Sequence, residues 1–142
     1  MYTHETTVRL RDTDAAGVVY FSAVFDLAHE AFEAFMDSVG MDIGLILRST
    51  AHDLPIVHAE ANYTKPMFAG DRLRITVLAT HVGRTSFTLS YRFWNLSDEE
   101  TAHARITHVT LHRARREKIA IPHELGAALA QIAGTPDTEE RA

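Results

Sequence analysis

The clearest periodic signal in the chain is an alternation of period two. Phe87, Leu89, Tyr91 and Phe93 are apolar, and Thr88, Ser90 and Arg92 between them are polar, the spacing of a half-buried strand. The same period sets Leu73, Ile75 and Val77 against Arg72, Arg74 and Thr76. It also sets Val57, Ala59, Ala61 and Tyr63 against His58, Glu60 and Asn62. Strands are predicted over 3–11, over 56–64 and, as one long final strand, over 102–113. Over 22–39 the period lengthens. Val24, Leu27, Ala28, Ala31 and Phe35 form one helical stripe, Phe25, Phe32 and Met36 a second, and polar residues narrow to Asp26, His29, Glu30, Glu33 and Asp37. A helix apolar over most of its circumference is buried by more than one neighbour, so this is a central helix. Gly40 ends it. Pattern is weakest over 41–54, where 43–47 reads as a short helix. Pro122 near its start and Gly134 past its end mark a closing helix over 122–133.

The turns at Ala69-Gly70-Asp71 and Val82-Gly83-Arg84, and the polar stretch 95–100, are too short for crossovers, so consecutive strands are antiparallel. The order is strand, central helix, then four strands. It predicts an α+β fold in which a curved antiparallel sheet wraps one helix. A single domain over 1–133 is expected, followed by a disordered polar tail over 134–142.

Composition narrows the chemistry. The 142 residues include no cysteine, which excludes a disulfide framework, a thiolate nucleophile and cysteine-ligated metal. That fits a reducing compartment, and with no secretory signal and no membrane span in view, a cytoplasmic setting is expected. A net charge of −5 argues against broad nucleic-acid binding. One local excess of positive charge, Arg113, Arg115, Arg116 and Lys118 against Glu117, suits either a phosphorylated small molecule or a solvated strand end. Nine histidines invite a metal reading. However, His108 and His112 on one strand would lie roughly 13 Å apart, and His29 with Glu30 and Glu33 lacks the spacing of helical zinc sites. No metal is expected.

The leading candidate for chemistry is Asp12-Thr13-Asp14-Ala15-Ala16-Gly17-Val18-Val19-Tyr20-Phe21. It places two carboxylates ahead of a helix whose N-terminal N–H groups stabilise negative charge, including the oxyanion of an attacked acyl carbonyl. Gly17 would let the backbone approach a substrate. The alternative is that Asp12 or Asp14 merely caps the helix.

Those ten residues, with His29-Glu30-Ala31 in the helix behind them, resemble the signature of the 4-hydroxybenzoyl-CoA thioesterase family of hotdog proteins. Leu54-Pro55-Ile56-Val57-His58-Ala59 and Ala69-Gly70-Asp71-Arg72-Leu73 match as well, so the resemblance spans 8–113. Within the family it leans toward the hydrolases of 1,4-dihydroxy-2-naphthoyl-CoA in quinone biosynthesis.

The resemblance implies a five-stranded hotdog sheet around a long central helix, in homodimers or homotetramers with active sites at subunit interfaces. It implies that Asp14 is the catalytic carboxylate, as nucleophile or as general base, and that Asp12 orients the loop. The Phe21 backbone N–H would polarise the thioester carbonyl, with Gly17 in the same loop. Arg84, Thr85 and Ser86 would contact coenzyme A, with Arg113, Arg115 and Arg116 as weaker candidates for its phosphates. His58 would touch the acyl group or its hydroxyls, and 41–54 would shape part of the pocket. No cofactor is implied, coenzyme A being part of the substrate. Three alternatives follow: preference for 4-hydroxybenzoyl-CoA or short-chain acyl-CoA, a hydratase, and a non-catalytic acyl-CoA sensor. A hydratase would want a histidine near the acid, and a sensor would lack the carboxylate and carry a DNA-binding segment.

Overall fold

The computed structural model describes residues 1–49 and 51–135, so most of the expected tail lies outside the described residues. In chain order the elements are β1 (Tyr2–Thr7), α1 (Ala23–Ser38), α2 (Ile43–Ser49), β2 (His52–Asp53), β3 (Ile56–Tyr63), β4 (Arg72–Val82), β5 (Ser86–Trp94), β6 (Glu100–Val109), β7 (Leu111–His112) and α3 (His123–Gln131). Five strands form one antiparallel sheet in the order β1-β4-β5-β6-β3. A two-stranded ribbon pairs β2 with β7.

One sheet face carries the alternation seen in the sequence. Leu73, Ile75, Val77, Phe87, Leu89, Tyr91, Phe93, Ala104 and Ile106 are buried in one cluster with Val24, Leu27, Ala31, Phe35 and Met36 of α1. Filling that interface is what holds the helix to the sheet, each large apolar side chain contributing roughly 1.5–3 kcal/mol on burial. The opposite face of β5 is also covered. Arg92 pairs with Glu100 at 2.6 Å, and Ser90 bonds His103 at 2.7 Å.

Three sequence expectations are corrected, the first two by the loss of a ladder neighbour. The first strand stops at Thr7, because its partner β4 begins at Arg72; the chain then turns through a 3₁₀ segment, Leu10–Asp12. The final strand breaks at Thr110. Beyond Val109 both neighbours have run out, β5 starting at Ser86 and β3 at Ile56, and the chain crosses to pair with β2. His108 and His112 therefore lie on different strands. Pro122 is the N-cap of α3, one residue outside it.

Candidate active site

Residues 12–20 form a tight double-back pinned on both sides. The Asp14 N–H donates to the Val18 carbonyl (2.9 Å), the Gly17 N–H to the Asp14 carbonyl (3.0 Å), and the Tyr20 N–H to the Asp12 carbonyl (3.3 Å). The outer arm is held to the β3–β4 connection, where Val19 donates to Met67 (2.8 Å) and Ala69 to Gly17 (2.9 Å). Gly17 occupies the left-handed region at φ +77°, which a side chain disfavours. A Cβ there would meet nothing within 4 Å. Within this chain the glycine is required by the turn, not by close packing.

The two carboxylates have different surroundings. Asp12 is buried and accepts the Arg9 N–H at 2.8 Å, which fastens the start of the loop. Asp14 is exposed, and one oxygen accepts the N–H groups of Ala16 (2.8 Å) and Val18 (3.2 Å). Neither caps α1. That helix begins at Ala23, its N-cap is Ser22, and no side chain bonds the cap. The capping alternative is thereby excluded: residues 15–21 intervene, and the one Asp14 oxygen that accepts N–H groups does so within its own turn.

Phe21 lies just before the helix. Its carbonyl accepts the Tyr63 hydroxyl from β3, and among the described residues no acceptor meets its N–H. Burial pushes the Tyr63 phenol up, in keeping with a neutral donor. Val18, Val19, Phe21, Tyr63, Lys65 and Met67 line a cavity of about 370 Å³. It adjoins the loop that holds Asp14.

A second cavity, of about 210 Å³, lies toward the other end of β3. It is lined by His29, Phe32, Ile43, Leu54, Ile56 and His108, among others. The segment 41–54 does contribute walls here, through α2 and the approach to β3.

The other expected site residues do not join Asp14 within one chain. His58 is on the sheet face away from α1, 3.9 Å from Glu60, which pairs with Arg105. His58 is in unbroken register with Glu60 and Asn62 on that outer row, and it lines neither cavity. Arg84, Thr85 and Ser86 do form the turn before β5, with the Gly83 N–H on the Ser86 carbonyl (2.8 Å). That turn is at the Ile56 end of the sheet. Ser86 pairs with Val109, whereas Tyr63 pairs with Ala102 at the opposite end. At roughly 3.3 Å per residue the two ends are about 23 Å apart. Arg113 is committed elsewhere, to Asp53 (2.8 Å) and the His52 and Leu47 carbonyls. Arg116 also reaches Asp53 (3.3 Å) and Arg115 reaches Glu117 (3.4 Å). Most of this basic segment braces α2 and β2.

Sequence reasoning passed over Tyr63 and His108. His108 was legible in part, since alternation from Ala102 through Ala104 and Ile106 places it inward. Among the described residues no group of three or more histidines, aspartates or glutamates is arranged to hold a metal ion.

The fold and this loop define the class. A model of the Thioesterase-like superfamily matches residues 8–129, and the chain belongs to that superfamily. It is similar in particular to a 1,4-dihydroxy-2-naphthoyl-CoA hydrolase from Synechococcus elongatus, 39% identical over 129 residues, which are 87% of this chain and 91% of that one. The protein of the same name from Rippkaea orientalis is 34% identical over 88% of this chain and 92% of its own. Among solved structures, a 1,4-dihydroxy-2-naphthoyl-CoA thioesterase from Synechocystis superposes with a TM-score of 0.86 at 31% identity. It covers 92% of this chain and 96% of its own length. The sheet wrapped on a central helix is thus the hotdog arrangement.

Proposed function

We propose that this chain hydrolyses the thioester of an aromatic acyl-CoA, with 1,4-dihydroxy-2-naphthoyl-CoA as its substrate. The observation that carries the reading is the Asp14 loop. One carboxylate oxygen is tied by two N–H groups, and the other is left for chemistry on an exposed turn next to the cavity that Phe21 helps to line. The thioester carbonyl would accept the unused Phe21 N–H, which stabilises negative charge as it develops on oxygen. Asp14 then attacks the carbonyl carbon, expelling the coenzyme A thiolate and leaving an anhydride for water to open, or it takes a proton from an attacking water. Both routes consume one water and release the carboxylic acid and free coenzyme A. No cofactor is needed, since coenzyme A arrives with the substrate. The hydrolase and thioesterase names of the relatives support the substrate class.

The active unit in this proposal is a homodimer, or a tetramer of two such dimers. β3 is a sheet edge with Ile56, Val57 and Tyr63 exposed, and such an edge invites pairing. A two-fold partner adding its own β3 antiparallel brings its Ile56 end to the first copy's Tyr63 end. The partner's Arg84, Thr85 and Ser86 then come within reach of coenzyme A phosphates at the first copy's Asp14 site, with Arg as the phosphate fork. Among the described residues no helix is long and apolar enough to cross a membrane; the cytoplasmic setting rests on the sequence reading. Release of free thiol from 1,4-dihydroxy-2-naphthoyl-CoA, 4-hydroxybenzoyl-CoA and a straight-chain acyl-CoA tests the reading. The dihydroxynaphthoyl thioester is expected to have the highest kcat/KM. Preference for an aliphatic thioester would overturn the substrate, and no thiol release from any would overturn the activity.

A further inference from the structure

His108 lies inside the protein, 3% exposed. Its ring stacks on Phe87 (5.0 Å between centroids, 14°) and on Phe32 (5.5 Å, 23°). Its Nδ1 is 2.9 Å from the Leu54 carbonyl. A carbonyl only accepts, so Nδ1 carries the hydrogen, and in the neutral ring Nε2 is a bare acceptor. Burial lowers the pKa of this histidine, the Leu54 bond partly offsets that, and the neighbouring His29 lowers it further. The neutral form is therefore favoured. His29 stacks 6.5 Å away, and its Nε2, like that of His108, is buried with no partner among the described residues. Leaving such an atom unpaired away from water is costly, so a partner is expected in the working protein.

Both rings line the 210 Å³ cavity, whose other walls are apolar apart from Glu33 and His52. A dry cavity of about 150 Å³ suffices for a benzene ring. The polar groups fixed in this one ask for hydrogen-bond donors at the edge of a flat apolar ligand: at least one hydroxyl for His108 Nε2, and a second polar group for the tautomerically free His29. A bare carboxylate or carbonyl would face the His108 lone pair and be rejected.

Within one chain this cavity is poorly placed for the Phe21 N–H, since α1 separates Phe21 from His29 by on the order of 12 Å along its axis. The two-fold pairing of β3 changes that. α1 runs counter to β3, with Phe21 by Tyr63 and Phe32 by His108, so an antiparallel β3 pair sets one copy's Phe21 beside the other copy's His29 and His108.

We infer that His29 and His108 of one subunit read the ring hydroxyls of the acyl group whose thioester carbonyl is held at Phe21 of the other. This rests on the thioesterase reading above and assigns to these two histidines the role of hydroxyl recognition that His58, on the outer face, is not placed to fill.

The test compares 1,4-dihydroxy-2-naphthoyl-CoA with 2-naphthoyl-CoA, which lacks both hydroxyls, in the wild-type protein, His29→Leu and His108→Asn. Asparagine retains a donor for the Leu54 carbonyl, so the second variant guards against loss of fold. The preference for the hydroxylated thioester, as a ratio of kcat/KM values, is expected to fall by about 10- to 100-fold, the span of one or two buried neutral hydrogen bonds. Equal losses on both thioesters in both variants would overturn the inference alone. Wild-type protein that hydrolyses neither would overturn the functional reading and this inference with it. A mixed dimer of Asp14→Asn and His29→Leu subunits settles the sharing. With the site divided between subunits, one of its two sites is fully wild type and recovers about half the activity with the full hydroxyl preference; with both parts in one subunit, no such site exists and the preference stays lost.

Discussion

Asp14 and Val18 clasp each other twice: the Asp14 N–H donates to the Val18 carbonyl at 2.9 Å, and the Val18 N–H donates to Asp14 Oδ1 at 3.2 Å. The clasp leaves the second carboxylate oxygen uncommitted among the described residues. It therefore separates the part of Asp14 that holds the loop from the part available to a substrate.

Asp14→Asn retains a side-chain oxygen for Val18 and Ala16 but can neither attack a carbonyl nor accept a proton. We expect near-native thermal stability with kcat lowered at least 10²- to 10⁴-fold, the usual scale for a lost general base. Near-native kcat in this variant would remove Asp14 from the chemistry. Asp12→Asn, at a buried carboxylate that holds the Arg9 N–H, is expected to show the reverse balance, with stability reduced more than turnover.

Gly17→Ala forces a side chain into the left-handed region at φ +77°. The expected cost is about 1–2 kcal/mol, read as a lower denaturant midpoint, with reduced kcat because the clasped loop shifts. Asn adopts this region more readily, so Gly17→Asn should fall between wild type and Ala. A fully neutral alanine variant would show that the turn does not depend on glycine.

Val57, 59% exposed on the free edge strand, tests assembly. Val57→Lys places a charge where a second copy would pair. Light scattering at micromolar protein is expected to shift from dimer or tetramer toward monomer, with activity falling in parallel. A wild-type protein that is monomeric and active would refute a site shared between subunits.

His108 makes stability pH-dependent with a definite sign. Its folded-state pKa lies below the ordinary value of 6.5 because of burial first, with the Leu54 bond opposing and His29 adding to it. The unfolded chain then binds the proton more readily, so the contribution is present above about pH 6.5 and is lost as pH falls through the folded value. Denaturant midpoints should drop between pH 7 and pH 5 more steeply in the wild type than in His108→Asn. Parallel curves would show that His108 does not titrate differently on folding.

Local pattern determined much of this protein. The alternation from Phe87 to Phe93 and the two stripes of α1 are set by side chains within a few positions of one another, and burial of one face follows directly. The Asp14 loop was legible for a similar reason, since Asp and Gly impose a turn on their own neighbours. Other features depend on residues distant in the chain. The strand predicted over 102–113 ends at Val109 only because β5 and β3 supply no partner beyond it. Nothing between Ile56 and Tyr63 states that this strand is the sheet edge. His108 is held neutral by its burial between Phe32 and Phe87, its Nδ1 is oriented by the Leu54 carbonyl, and its neighbour His29 comes from a different element. The separation of Arg84 from Asp14 is likewise a property of strand order. Period and turn chemistry act over a few residues and can be read along the chain; pairing, burial and the division of a site between two ends of a sheet arise when distant segments meet, so only the tertiary structure decided them.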